Sequence, residues 1–265
     1  MQKLELAKMS KKTLFLFAAA ALAAVLAGCT NVATFDYAGA PGPMVKFPEA
    51  GGAKKSIAVL PFLDQRGVKY VDPAQRDLAE DQPAGDRGSF YLGLIPLFPS
   101  GFVEKAEPEN SDDFVSLGRF HFDPAQDLAT ASFLSLKTSG LFGPVIRANS
   151  LQQADADYLW QGTVTNTRYR GAMFSYCITY FLAPGLWLIG APNGVSRNEL
   201  WVDFALIRRS TGETVWTYSY RSEDYLVHWI YARIGQDASM YPELMKQAMN
   251  GALYDLSRKL PELNR

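Results

Sequence analysis

Apolar residues fall into a few distinct patterns along the chain, and each pattern predicts an element. Thr13 to Val25 is a continuous apolar run rich in Ala and Leu. It falls short of the about 20 residues that a bilayer-spanning helix needs. Ile57-Ala58-Val59-Leu60, inside Ser56 to Leu63, is a short unbroken run and predicts a strand buried on both faces. Pro61 marks that strand's end or an edge. Asp123 to Gly140 predicts a helix, with Ala125, Leu128, Ala129, Phe133 and Leu136 on one face. Asp123 is its N-cap, Pro124 suits the first turn, Gln126 can complete a capping box, and Gly140 supplies the stop. Gly143 to Arg147 predicts the next strand.

Period-two alternation dominates the second half. Ala156 to Arg170 reads as a strand in which Tyr158, Trp160, Gly162 and Val164 share a face. Asn198 to Arg208 and Thr214 to Glu223 read as a hairpin. Leu200, Val202, Phe204 and Leu206 line one of its strands, and Trp216, Tyr218 and Tyr220 line the other. The turn Ser210-Thr211-Gly212-Glu213 places Gly212 where positive φ is needed. Tyr241 to Leu260 predicts a closing helix with Met245, Met249, Ala252, Leu256 and Leu260 inward and Lys246, Arg258 and Lys259 outward. The fold class expected is α+β: a mainly antiparallel sheet of about five strands, two principal helices on one face, and apolar insertions.

Three stretches break the pattern. Thr30 to Lys55, rich in Gly and Pro without a sustained apolar period, reads as a flexible tether. Residues 67–119 form a long insertion. Its acids Asp72, Asp77, Glu80, Asp81 and Asp86 lack calcium-loop spacing, so a solvated loop is expected. Its run Tyr91 to Pro99 is broken by Pro96 and Pro99 and suits neither a helix nor a central strand. A second insertion spans 172–197. Here Phe174, Tyr176, Ile178, Tyr180 and Leu182 alternate with Ser175, Cys177 and Thr179, as in a tilted membrane strand. The return, Leu186-Trp187-Leu188-Ile189, is short and apolar on both faces. We expect Leu92, Leu94, Ile95, Leu97 and Phe98 to join Tyr180, Phe181, Leu182, Leu186, Trp187, Leu188 and Ile189. Together they would form one exposed patch for a partner or a membrane, the alternative being that residues 174–192 fold over the domain's own core.

The apolar run at the start changes the picture most. It ends in Leu26-Ala27-Gly28-Cys29, which resembles the lipobox of bacterial lipoproteins. The resemblance implies cleavage between Gly28 and Cys29, a thioether-linked diacylglycerol on Cys29, and a fatty acyl group such as palmitate on its amine. Lys3, Lys8, Lys11 and Lys12 supply the positive flank, and Met9 to Gly28 is already a complete signal. Thr30 follows the cysteine where an Asp would favour inner-membrane retention in Gram-negative lipoproteins. The expected location is therefore the outer membrane, with the domain facing the periplasm. Residues 1–28 would be signal, 29–55 lipidated tether, and 56–265 one domain.

Further resemblances sit in Ser56 to Leu63, in Thr138-Ser139-Gly140-Leu141-Phe142 with Val145-Ile146, and in the hairpin closed by Ser210 to Trp216. These segments resemble a periplasmic lipoprotein group. It includes the curli secretion channel lipoprotein, lipoprotein activators of penicillin-binding proteins, and the amino-terminal domain of the Tol translocation protein. Leu151 to Asp155 departs from the group, being too short for its usual second helix. The inserted strand at 174–182 sits where the curli channel lipoprotein carries a pore hairpin.

Composition narrows function by exclusion. The formal charge is −1, and removing a signal with four lysines and one glutamate leaves −4. Such a chain is not expected to bind nucleic acid. With Cys29 acylated, Cys177 is left without an intramolecular disulfide partner and is expected to be a free, inert thiol. The two histidines, His121 and His228, lack partners at metal-ligand spacing, and no nucleophile elbow, phosphate loop or dinucleotide fingerprint is present. No metal, cofactor or catalytic residue is therefore expected. The expected function is a non-catalytic envelope assembly or accessory protein that meets an envelope protein. A secretion-pore subunit and a ligand-binding or hydrolytic lipoprotein remain as alternatives.

Overall fold

The protein is described by a computed structural model that covers residues 32–47, 54–66, 85–92, 99–107, 113–115, 119–179, 183–233 and 239–263. In chain order the first elements are β1 (Val32–Thr34), β2 (Ile57–Val59), β3 (Leu63–Asp64), β4 (Gly85–Leu92), β5 (Pro99–Glu107), β6 (Asp113–Val115) and β7 (Arg119–His121). Then come α1 (Pro124–Ser139), β8 (Val145–Arg147), β9 (Tyr158–Asn166), β10 (Tyr169–Thr179), α2 (Ala183–Leu188), β11 (Gly194–Arg208), β12 (Glu213–His228) and α3 (Tyr241–Leu263). The class is α+β. The strand count exceeds expectation: a nine-stranded sheet and a separate three-stranded sheet, β1-β7-β6.

Local chemistry sets α1. Asp123 Oδ1 accepts the Gln126 N–H at 3.2 Å, and Gly140 closes the helix in the left-handed region. The reciprocal bond of the capping box comes from Asp127, not Gln126. Asp127 Oδ2 accepts the Asp123 N–H at 2.9 Å, whereas Gln126 Oε1 accepts from Arg147. A charged acceptor in the first turn also suits the helix dipole. Burial pushes the Asp127 carboxyl upward despite that bond. The buried face differs too. Ala125 and Phe133 are only half-buried, while Ser132, Ser135 and Ser139 are fully packed. These small side chains let other segments approach closely.

One such segment is the expected tether. Residues 32–47 do not hang free; they form a strap across both long helices. Val32–Thr34 pairs in parallel with Arg119–His121. Tyr37 is buried, hydrogen-bonded to Ser135 Oγ, and burial pushes its phenol up to about 12. Phe47 N–H donates to Ser139 O at 2.8 Å, and Asn250 of α3 holds Val45 and Pro43. Lys246, expected to point outward, is 4% exposed. Its Nζ donates to Ala40 O and lies 5.7 Å from the Tyr37 ring centroid. The strap reaches its partners through a few aromatic and main-chain contacts, which leave no apolar period to read.

The sheet is built around a crossover. The chain passes from β2 through the 67–119 excursion and α1 to β8, which pairs in parallel with β2. It then turns through Ala148–Asp157 to β9, parallel on β2's other side. β2 is thus interior, fully buried, and ends before Pro61. Parallel neighbours need such crossovers, and these lie on opposite faces. α1 packs into the main core, while Ala148 and Ala154 join Ala58, Leu60 and Leu159 in a small second cluster. Gly162 makes room at the junction: a Cβ there would lie 2.2 Å from the Phe62 ring, which fills the slot.

The predicted 156–170 strand divides into β9 and the start of β10, with the corner at Thr167 and Arg168. Residues 201–208 of β11 pair with β9, and residues 194–198 pair with β10. β12 runs along the whole other side of β11. Leu200, Val202, Phe204 and Leu206 are all buried, as the alternation predicts, and Gly212 has φ of 71°. β5 and β4 extend the sheet beyond β10 as a wing. Among the described residues the 67–119 stretch therefore contributes β4, which contains Asp86, β5, β6 and the start of β7, strands that its pattern did not reveal. The acids Asp72, Asp77, Glu80 and Asp81 lie outside the described residues. α3 carries Met245, Met249, Ala252 and Leu256 inward, with Leu260 half-buried. It runs past the expected end through Pro261.

β12 is tied to α3 by Trp216 Nε1, which donates to Asp255 Oδ2 at 2.8 Å. That bond holds the Asp255 carboxyl below its usual range, helped by Lys259. Ser56 does the same for Asp157 through main-chain and side-chain bonds. A depressed folded pKa gives stability that is present above the unfolded carboxylate value, about 3.9, and lost as pH falls through the folded one. Asp127 is raised and opposes this slightly. Asp255→Asn, which keeps an acceptor for Trp216, should lower the melting temperature at pH 7. The gap from wild type should narrow as pH falls below the unfolded carboxylate value, about 3.9, and close as the folded carboxyl is protonated. Thermal melts across that range check it; a gap that does not change with pH would reject the charge as its cause.

Candidate interaction surface

The longest strand among the described residues, β12, is an edge strand. Glu199 N–H donates to Arg168 O at 2.9 Å, so the odd-numbered main-chain groups of β11 turn toward β10 and β9. Its even-numbered groups turn toward β12. The register pairs even with even: Leu200 with Ser222, Val202 with Tyr220. The odd-numbered main-chain groups of β12 at Thr217, Ser219, Arg221, Glu223, Tyr225 and Val227 therefore point to its outer side. Among the described residues no strand pairs there. Of these, the Tyr225 N–H donates to its neighbour Asp224 Oδ1 at 2.7 Å. The 16 residues of β12 contain no Pro, Lys or Gly, residues that commonly blunt such edges.

The helix-free face of this hairpin carries alternating charge and aromatic rings. Arg221 Nη2 donates to both Asp203 carboxylate oxygens at 2.9 Å, and its guanidinium lies 5.8 Å from the Trp201 ring. Arg197 pairs with Glu223 and Glu199 and lies 5.6 Å from the Tyr225 ring. Arg221, Glu223 and Tyr225 are all exposed.

Beyond β10 the wing ends near α2. Thr179 pairs with Ser100, Ser100 with Tyr91, and Pro99 with Leu92. The register thus brings Leu92, Pro99 and Thr179 to the same end of the sheet. Of the predicted patch, Leu94, Ile95, Leu97, Phe98, Tyr180, Phe181 and Leu182 lie outside the described residues, as do Gly28 and Cys29. Leu92 closes β4. Leu186, Trp187 and Leu188 belong to α2, a short helix rather than a returning strand. Trp187 is half-buried and its indole N–H donates to Phe174 O at 3.1 Å, so it packs on its own strand. Leu188 and Ile189 are 62% and 81% exposed. Beside them is Tyr231, 70% exposed, whose hydroxyl donates to Leu188 O; sequence reading missed it, although Trp229-Ile230-Tyr231 is itself an aromatic run. The alternation expected from Phe174 onward is broken: Tyr176 has φ of 56°, and the β5–β10 register shifts between Phe174 and Thr179.

Two polar clusters are buried, and both hold corners of the fold. Arg66 donates to both Asp64 oxygens and, at 2.8 Å, to Thr167 Oγ1. Tyr241 OH donates to Thr167 O and Arg168 O, and burial pushes its phenol far upward. These bonds brace the β9–β10 corner. Burial alone would raise Asp64, but Arg66 outweighs it and the carboxyl is lowered. In the second cluster, Ser196 Oγ lies 2.9 Å from His228 Nε2, and His228 Nδ1 is 3.0 Å from Arg233 O. A main-chain carbonyl stands where a hydrolytic triad needs a carboxylate, and the serine is fully buried. The pair joins the start of β11 to the end of β12. His121 lies in β7, in the other sheet.

Among the described residues no group of three or more His, Cys, Asp or Glu side chains could hold a metal, and no helix is long and apolar enough to cross a membrane. No family model matches the chain, and no curated protein matches it. Solved structures match it distantly. A Xanthomonas campestris protein of the family model DUF330 matches with a TM-score of 0.41 at 8% identity, over 88% of this chain and 99% of that one. The PelC dodecamer from Paraburkholderia phytofirmans matches with a TM-score of 0.32 at 13% identity, over 76% and 92%. Likeness at this level carries no functional argument.

Proposed function

We propose that this chain is a non-catalytic assembly protein of the cell envelope, lipid-anchored at the outer membrane and facing the periplasm. It binds a protein partner by strand addition along β12. The observation that carries this reading is the long edge with its outward main-chain groups and no proline, lysine or glycine to blunt it. The resemblance of the first strand and the hairpin to the periplasmic lipoprotein group agrees with it. Ser219→Pro is the sharpest test. Ser219 is exposed, and its N–H faces outward, where proline is tolerated in an edge strand. The substitution removes one donor and blocks an incoming strand. Crosslinked complexes of the native lipoprotein should be lost while the melting temperature stays within about 1–2 °C of wild type, as for surface changes generally. Complexes that persist unchanged would overturn the reading.

A second reading, a subunit of an outer-membrane secretion pore, is favoured by the exposed Leu188 and Ile189. Labelling of a cysteine at Ile189 from the lipid phase separates the two: a pore subunit is labelled there, and a periplasmic domain is not.

A further inference from the structure

We propose that the strand added to β12 is β12 of a second copy, antiparallel to the first and centred on Ser222. The inference rests on the edge reading above and names its partner. A two-fold axis through Ser222 makes Arg221 of each copy face Glu223 of the other. Tyr220 then faces Asp224, and Ser219 faces Tyr225. The odd-numbered main-chain groups that point outward then meet one another, the Tyr225 N–H exchanging its Asp224 carboxylate for Ser219 O of the other copy, which is the hydrogen-bonded arrangement of an antiparallel ladder.

Charge selects this register. Arg221 is already held by Asp203, and Glu223 by Arg197. Facing them across the axis interleaves the two ion pairs into one row of alternating sign. Moving the axis by one residue would set Arg221 against Arg221, or Glu223 against Glu223, and like charges directly opposite are destabilising. The contact is self-complementary, as a closed two-fold interface requires. It also keeps the helices of both copies on one face of a continuous sheet, with Tyr220, whose hydroxyl donates to Gln247 Oε1 of its own α3, beside Asp224 of the other copy on the helix side.

The same geometry supplies the test. Even-numbered residues form the non-hydrogen-bonded pairs, so the two Ser222 Cα atoms would lie about 4.5 Å apart, within disulfide range. The full chain is made as a lipoprotein with Cys177→Ser, carrying either Ser222→Cys or Ser219→Cys, and oxidised in native membranes. Ser222→Cys should give a disulfide-linked dimer and Ser219→Cys none, because Ser219 faces Tyr225 rather than itself. Light scattering of the detergent-extracted wild type should give twice the monomer mass, and Ser219→Pro should give the monomer. Equal coupling by both cysteines overturns the register. A monomeric wild type without a Ser222→Cys dimer overturns self-pairing. If Ser219→Pro still abolishes crosslinks to a different envelope protein in that case, the edge reading stands without it; if it does not, the edge reading falls as well.

Discussion

Trp160→Ala should lower the stability of the domain by about 3–5 kcal/mol, the usual cost of emptying a large aromatic site. Trp160 is fully buried in the centre of β9. Its ring lies 5.3 Å from Phe204 and 5.5 Å from Trp216, so it joins three strands to the layer beneath the helices. Among the described residues its indole N–H has no partner. The loss is therefore one of packing and dispersion contacts, with no hydrogen bond removed. At roughly 2–4 °C per kcal/mol for a domain of this size, the melting temperature should fall by about 6–20 °C. Tyr254→Ala, on the exposed side of α3, is the control and should change stability by about 0.5 kcal/mol or less. Thermal or urea melts of the two variants decide it. A Trp160→Ala midpoint equal to that of Tyr254→Ala would show that the aromatic stack does not organise the core.

Cys29→Ala should abolish acylation and release the protein from the membrane fraction. The expectation comes from the lipobox-like Leu26 to Cys29, and fatty-acid labelling with fractionation checks it. Equal label on wild type and variant would sink it. The strap adds a second readout. Val32 is already paired with Arg119, only three residues beyond Cys29. At no more than about 3.6 Å per residue, the lipid would sit within roughly 11 Å of the folded domain. The domain would then lie close to the bilayer instead of standing off on a long tether. Protease access within residues 32–47 should be low in both wild type and Cys29→Ala, because the strap is held by Tyr37, Lys246 and Asn250 and not by lipid.

By itself the sequence determined the elements whose causes are local. Asp123 and Gly140 bounded α1 because an N-cap acceptor and a left-handed glycine act within one turn. The period-two run from Leu200 to Leu206 chose the buried face of β11, and Gly212 marked the hairpin turn. The 3.6-residue period of Met245, Met249, Ala252 and Leu256 turned α3 inward. The expected end of β12 at Glu223 fell short: the strand continues to His228, with Leu226 and His228 extending the inward alternation.

Tertiary structure decided what depends on partners far away in the chain. Lys246 is buried because a strap two hundred residues earlier offers it a carbonyl and a ring. Tyr37 is core because Ser135, 98 residues on, leaves space for it. The 85–107 hairpin became a wing because β10 runs past β9 and exposes an edge to it. The open side of β12 follows from strand order, which no local pattern encodes. Periodicity reports which face of an element is buried; it does not report which element lies beside it.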